Sequence, residues 1–340
     1  KLRQLWRRVT GMKRAIGQLL TLTLIMQAFV LASPYYMQIA LDSVVPASDR
    51  DLLTVLALGF GLFTLVNIVA TLLRSFVLLS AGTTFSFGIE ANLARRLFRL
   101  PISWFEKRHV GDILSRFQSV GPIQQALTQG MIGALIDGVF AVFTIAVLFF
   151  YSVPLAMLAI AACGSYLLVR LVSFTPQREA QEASIVAGSK EQSTMIETLR
   201  GMVTLRLFNK ETERHCTWQT KLAASMNAGV GLARIGIWQS VANSAIFGLE
   251  AIVSTWLAVA IVMDGGFSVG MLFAFAAYKT QFLSRASSLC DQVIAFRMLG
   301  LHLERLSDIA LSPQDPYFER TQPLTRPLTG RVELRNVTFR

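Results

Sequence analysis

The stretch LPISWFEKRHVGDILSRF, residues 100–117, decides how the rest of the chain is read. It carries Pro101, Trp104 and Phe105, then sets Glu106, Lys107, Arg108 and His109 in a row before Gly111 and Asp112. It is too polar to cross a bilayer and holds no catalytic arrangement. Just before it, SAGTTFSFGIEANLARRLFRL (80–100) spaces Phe85, Ile89, Leu93, Leu97 and Leu100 three and four residues apart, the pattern of an amphipathic helix. Proline has no backbone donor, so Pro101 predicts the end of that helix. From Asp51 to Leu100 the rod is about 75 Å long, more than twice the ~30 Å hydrocarbon core of a bilayer. Residues 102–109 are expected to lie across the tip of this lever. Gly111 and Asp112 should start the returning helix, with Asp112 at its positive end. Trp104 and Phe105 read as a knob that touches another body; the competing reading is a surface turn whose aromatics pack locally.

The composition places the lever in a membrane protein. Of 340 residues, 53% are hydrophobic and 16% charged, against about 25% charged in soluble domains. Six apolar blocks reach the roughly 20 residues a membrane helix needs, near 17–43, 52–81, 131–151, 154–174, 239–263 and 268–290. Basic residues fill alternate connections. Lys1, Arg3, Arg7, Arg8, Lys13 and Arg14 precede the first block, and Arg95, Arg96, Arg99, Lys107, Arg108 and Arg116 crowd 82–130. The connections YSVP and DGG carry none. By the positive-inside rule this is a multi-pass integral membrane protein with both ends in the cytoplasm. The net charge of +11 is spread over the inside segments, where anionic lipid and topology account for it, and no nucleic-acid partner is expected. Cys163, Cys216 and Cys290 have no metal or disulfide spacing and read as small apolar fillers.

The second inside connection repeats the plan of the first. TPQREAQEASIVAGSKEQSTMIETLRGMVTLRLF (175–208) continues the fourth block as a helix, NKETERH crosses, and 216–243 leads back. Charges in or near the blocks take a functional default. Asp137 and Glu250 are candidates for the wall of a translocation path; pairing between helices, for example with Arg74, is the alternative. Arg285 and Lys279 belong to the same group. Asp42 should cap or pair at the outer surface. His109, His215 and His302 read as exposed polar residues on cytoplasmic elements. SPQDPYFERTQPLTRPLTG has four prolines and reads as a linker, and Val332, Leu334, Val337 and Phe339 alternate as strand residues do.

SPYYMQIALDSVVPASDRDLL (33–53), RLPISWFEKRHVGDILSRFQS (99–119), IETLRGMVTLRLFNKETER (196–214), VGMLFAFAAYKTQF (269–282) and RMLGLHLERLSDIAL (297–311) together resemble the transmembrane domain of ABC exporters. Within them the chain is similar to colicin V-type exporters of double-glycine-leader bacteriocins, which carry a cysteine peptidase. The resemblance implies an all-α membrane fold of the type I exporter class, with six transmembrane helices, long cytoplasmic extensions and a domain-swapped homodimer. The division it implies is an elbow at 1–16, the six-helix domain at 17–311, a linker at 312–329 and the start of a nucleotide-binding domain at 330–340.

The resemblance also implies that Ile102, Trp104, Phe105, Glu106, Lys107 and Arg108, with Phe208, Asn209, Lys210 and Glu211, couple the membrane helices to an ATPase. ATP and Mg2+ would bind in that nucleotide-binding domain, beyond the last residue of this segment, and the segment itself would bind no cofactor and perform no catalysis. The implied cargo is a peptide. The implied partners are a second copy, the chain's own nucleotide-binding domain, the lipid bilayer of a bacterial inner membrane, a periplasmic adaptor and an outer-membrane channel. Export of a lipid, drug or protein toxin is the alternative on the same fold, and a channel or scaffold without a motor is the remote one.

Overall fold

The computed structural model describes residues 12–108 and 110–315. Residues 1–11 of the elbow, His109, most of the linker and the strand pattern of 330–340 lie outside the described residues. Eleven helices follow one another among the described residues. α1 (Met12–Ile39) passes through a π-helical turn (Ala40–Val44) and ends in one more turn, Val45–Ala47. α2 is Arg50–Leu97, α3 is Ile102–Glu106, α4 is Val110–Gln118, and α5 is Val120–Gln125. A second π turn, Ala126–Gly130, joins α5 to α6 (Met131–Tyr151). α7 (Val153–Val172), α8 (Phe174–Arg200), α9 (Met202–Leu207), α10 (Glu211–Met263) and α11 (Val269–Ala310) complete the chain.

The breaks have local causes. Asp49 is extended and accepts from the amides of Asp51 and Leu52 at 3.0 and 2.9 Å, an N-cap for α2. Ser152, extended at φ −161° and ψ 121°, separates α6 from α7, and Pro154 sits in the first turn of α7. Asn209 turns the chain between α9 and α10 in the left-handed region at φ 54°, where asparagine is tolerated. Gly265 does the same before α11 at φ 77°.

Two expectations shift. The descending helix ends about a turn ahead of Pro101 rather than at it. α2 stops at Leu97, and Arg99 and Leu100 leave through turn bonds to Arg96 and Leu97. A residue before proline is pushed out of the helical region, so the helix ends ahead of it. Pro101 instead heads α3, its carbonyl accepting from the amide of Trp104 at 2.9 Å. The second shift concerns the spans. Five helical segments are long and apolar enough to cross a membrane: Gly17–Ala47, Arg50–Leu97, Gly133–Tyr151, Val153–Val172 and Glu211–Met263. α11, which contains the expected sixth block, is not among them; it carries Lys279, Arg285 and Asp291 and is the most enclosed helix.

α2, α10 and α11, with 48, 53 and 42 residues, are rods of about 72, 80 and 63 Å. α11 packs along α1, α6 and α7, and α8 packs along α10. Two cores lie in series along α11. Near the short connections, Leu148, Leu155, Ala156, Ala159, Ala258, Phe275 and Tyr278 close around it. Near the far ends of the rods, Phe85, Ile89, Leu93, Trp104, Ile113, Ile123, Leu306 and Ile309 form the second.

The expectation for Asp42 is met at the head of α11. Its carboxylate accepts from Ser268 Oγ at 2.5 Å and from the amide of Gly270 at 2.8 Å, against the positive end of α11. A Cβ on Gly270 would meet that carboxyl group at 2.5–2.6 Å, so the position needs glycine. Asp42→Ala is expected to cost about 1 kcal/mol, the loss of a helix cap. Asp42→Asn, which keeps an oxygen acceptor, should cost less. Thermal unfolding midpoints of the purified variants in detergent measure both.

Candidate functional site

The first tip is built by α3 between the ends of α2 and α4. Ile102 is 76% exposed and Phe98 equally so, while Glu106 and Lys107 point to solvent. Trp104 corrects the expected knob. It is only 8% exposed, lies in the second core, and donates its indole N–H to Ser312 Oγ at 3.1 Å. Phe105 is half-buried and meets Trp104 edge to face at 5.2 Å. The exposed apolar surface is therefore Ile102 with Phe98. Sequence reading missed Phe98 because it falls off the 85–89–93–97 stripe. Two arginines of the tip are tied down. Arg108 grips the carboxylate of Asp308 at 3.1 Å and lies 4.3 Å above the Trp104 ring. Arg116 bonds both Asp112 and Asp308.

The second tip falls a few residues before NKETERH (209–215), where the crossing was expected. α9 ends at Leu207, Phe208–Lys210 form the turn, and Glu211 begins α10. Val203 and Leu207, four residues apart, share one face of α9 and are exposed at 74% and 79%, with Leu199 and Phe208 exposed beside them. Sequence reading missed Leu199 and Val203, although the spacing of Val203 and Leu207 is the signal of a helix face. Asn209 and Lys210 lie at the turn. Lys210 and Glu213 pair at 2.6 Å, which raises the lysine's pKa and lowers the glutamate's, though both are fully exposed.

The rods beneath the two tips touch through small residues. Gly111 of α4 lies so close to α8 that a Cβ there would sit 2.6 Å from Ser193 Cα. One turn along, Ser115 Oγ and Ser189 Oγ are 3.2 Å apart. A cleft of about 160 Å³ opens beside this crossing, lined by Arg108, Gly111, Ser193, Ile196, Glu197 and Arg200 among others. His302 is half-buried rather than exposed, and burial beside Arg305 lowers its pKa.

The two path candidates are both sealed within the chain. Asp137 is 5% exposed. It accepts from Arg285 at 2.8 Å, from Ser288 at 2.8 Å and from Gln292 at 3.0 Å. Its partner is thus Arg285 on α11, not Arg74. Glu250 of α10 is equally buried and lies 3.1 Å from Lys279 Nζ, which donates to Ser254 Oγ at 2.5 Å. The Glu250 oxygens are close to the ammonium but not aligned as hydrogen-bond acceptors. A third station joins α7 to α11: Arg170 meets Asp291 at 2.7 Å, and Tyr166 donates to the same carboxylate. Within the single chain both carboxylates belong to interhelical pairs that converge on α11.

Comparison with known proteins fits this architecture. A family model described as the ABC transporter transmembrane region matches residues 17–286. The chain is 29% identical over 314 residues to the probable microcin-H47 secretion/processing ATP-binding protein of Escherichia coli, and likewise to the colicin V secretion/processing ATP-binding protein of that species. Each alignment covers 92% of this chain and 45% of the relative. The cyclolysin secretion/processing ATP-binding protein of Bordetella pertussis is 29% identical over 331 residues, 96% of this chain and 46% of that one. The chain thus spans about half the length of the curated relatives it matches. Among solved structures, a bacterial Atm1-family ABC exporter with ATP bound superposes with a TM-score of 0.81 at 16% identity, over 89% of this chain and 54% of that one.

Two outcomes follow from the packing. Glu250→Ala should destabilise the protein by about 3–5 kcal/mol by stranding Lys279, while Glu250→Leu with Lys279→Met should recover most of it. Thermal unfolding in detergent of the two variants gives the comparison. Gly111→Ala should force α4 and α8 apart at a cost of about 1–3 kcal/mol, the range for overpacking. Faster amide exchange at 111–115 and 189–193, with the Asp42–Gly270 end unchanged, would register it.

Proposed function

The chain belongs to the ABC transporter transmembrane family, and on that premise we propose that it is the membrane half of an ATP-driven exporter that carries a peptide out of the cytoplasm. The observation that carries this reading is the pair of apolar tips. Ile102 with Phe98, and Val203 with Leu207 and Phe208, are exposed at the ends of rods far longer than a bilayer is thick. Apolar side chains held that far from lipid are suited to sockets on another protein. That protein is an ATPase domain, which supplies ATP, Mg2+ and hydrolysis from outside this segment. Ile102 and Phe105–Arg108 at the first tip, with Phe208–Glu211 at the second, act at those sockets. Trp104 acts from behind, holding α3 to the second core and to Ser312.

The basic residues at the tips support a cytoplasmic position for this end of the molecule with both chain ends inside, and the bacterial relatives support spans in an inner membrane. The unpartnered apolar faces of α2 and α10, which include Leu58, Leu65, Leu72, Leu249, Ile252 and Trp256, suit lipid and a second copy. A peptide cargo is supported by the microcin and colicin V secretion proteins among the relatives. A second reading, a protein toxin passed on through an adaptor and an outer-membrane channel, is supported by the cyclolysin and alpha-hemolysin translocation proteins. In either case Asp137 and Glu250 serve as pins between helices.

The test is ATP hydrolysis and cargo export by the full-length protein in liposomes, with and without a double-glycine leader peptide. Stimulation by the leader supports the peptide reading; hydrolysis indifferent to it moves the weight to the toxin. Ile102→Asp and Phe208→Asp should each lower export-linked hydrolysis by roughly ten-fold or more, as loss of a central apolar contact does at an interface. Thermal stability should not change, since both side chains are already exposed. A folded wild-type protein without ATPase activity would refute the proposal.

A further inference from the structure

We propose that Trp104, Arg108, Asp308 and Ser312 form a clamp that makes the first tip and the exit of α11 one mechanical body, so that a pull on the residues past Asp315 moves both together. The inference deepens the exporter reading and rests on it for its purpose, though not for its geometry.

The clamp is a closed set of bonds between segments about 200 residues apart. The Arg108 guanidinium holds both oxygens of Asp308, with Nη2 at 3.1 Å from each and Nε at 3.3 Å from Oδ2. The same group donates to the carbonyl of Trp104 at 3.3 Å and covers its ring at 4.3 Å. Trp104 in turn donates to Ser312 Oγ at 3.1 Å, and that hydroxyl donates to the carbonyl of Asp308 at 2.5 Å. Arg96 Nη2 reaches the Ser312 carbonyl at 3.2 Å, and the amide of Asp315 donates to the carbonyl of Arg99 at 2.9 Å. Arg116 adds a second guanidinium on Asp308 and donates to the carbonyl of Arg305 at 3.4 Å. A planar fork on a carboxylate fixes orientation as well as distance, and part-buried bonds that share atoms strengthen one another.

The two tips differ in this respect. At the second, the resolved polar bonds tie α8 to α10: Arg214 to Thr198 and Glu197, and Trp218 to Glu191. They stay within that hairpin. At the first, the bonds of Trp104, Arg108 and Arg96 lead to the end of α11 and the residues just past it. The chain leaving α11 is thereby held against α3 on the tip that presents Ile102. Force arriving along the chain and force arriving at the Ile102 surface act on the same body.

Two variants of the full-length protein test this. Trp104→Phe keeps the ring and removes the N–H; Ser312→Ala removes the hydroxyl. Each should lower export per ATP by about five-fold, the effect of losing one hydrogen bond to a part-buried group, and Ser312→Ala should leave ATP hydrolysis within about two-fold of wild type. Unchanged export per ATP in both overturns the proposal. Arg99→Cys with Asp315→Cys, in a Cys216→Ser background, joins two residues whose backbones already meet, within the reach of a disulfide. The oxidised protein should work as well as the reduced one, because the segments never part. Activity lost on oxidation and regained on reduction overturns the clamp. If the wild type is inert toward ATP and cargo, the exporter reading fails alone. Amide exchange then decides the clamp: Trp104→Phe must speed exchange at 99–104 and 312–315 together, and unchanged rates at 312–315 overturn it.

Discussion

A charge carried into the apolar interior of a membrane protein has to be matched there, because neither lipid nor water is at hand to solvate it. α11 brings in three, Lys279 buried and Arg285 and Asp291 only partly so. Each is answered by a different helix, Glu250 of α10, Asp137 of α6 and Arg170 of α7. A buried pair contributes little net stability, since desolvation cancels most of the attraction, but breaking one is costly. These pairs therefore act chiefly as selectors of arrangement. They set which face of α11 meets which neighbour, and apolar packing of Ala156, Ala159, Phe275 and Tyr278 then fills the remaining space. Asp42 adds a fourth tie at the head of the same helix.

The far end of the molecule inherits its order from this axis. α11 continues well past the apolar spans and closes the second core with Leu299, Leu306 and Ile309. Its last turn presents Asp308 to Arg108 and Arg116, so the helix sorted by charge pairs inside the bundle is also the one that holds the first tip. The second tip reaches the rest through α8, whose Ser189 and Ser193 rest against Ser115 and Gly111. Small residues allow that close crossing, and nothing there is gripped as tightly as Asp308 is.

Much of this was legible before the structure. The 3.6-residue periods gave the rods, and Asp42 read as a cap or pairing residue and serves as one. The two-tip plan followed from polar helices continuing apolar ones, and the resemblance to ABC exporters agreed with it. What failed has one physical origin. Sequence spacing fixes which residues share a face, but not the rotation of that face against helices distant in the chain. Trp104 therefore read as a knob, although Ser312 waits to accept its N–H. Asp137 was offered Arg74 when Arg285 was its partner. Glu250 and Lys279 stand on successive helices, 29 positions apart, and no local pattern joins them. The shift of the second tip to 202–210 came from Gly201 and Asn209, whose breaks are stronger than the polar run NKETERH suggested.

Stiffness and unequal fastening together suit the molecule to a particular kind of motion. A tilt of about 5° acting over about 50 Å of unbroken helix displaces its end by about 4 Å, so small rearrangements among the spans become large ones at the tips. Such leverage is useful only if the rods do not bend. α2 and α10 meet that condition, each running as one uninterrupted helix from the short connections to a tip. The π turns at Ala40–Val44 and Ala126–Gly130 fall elsewhere, at the outer end of α1 and beneath α6, both against α11. Their wider winding loosens the ladder where the pinned axis meets its neighbours. The winding is wider at two points where neighbours meet the pinned axis, and the levers α2 and α10 carry no such interruption.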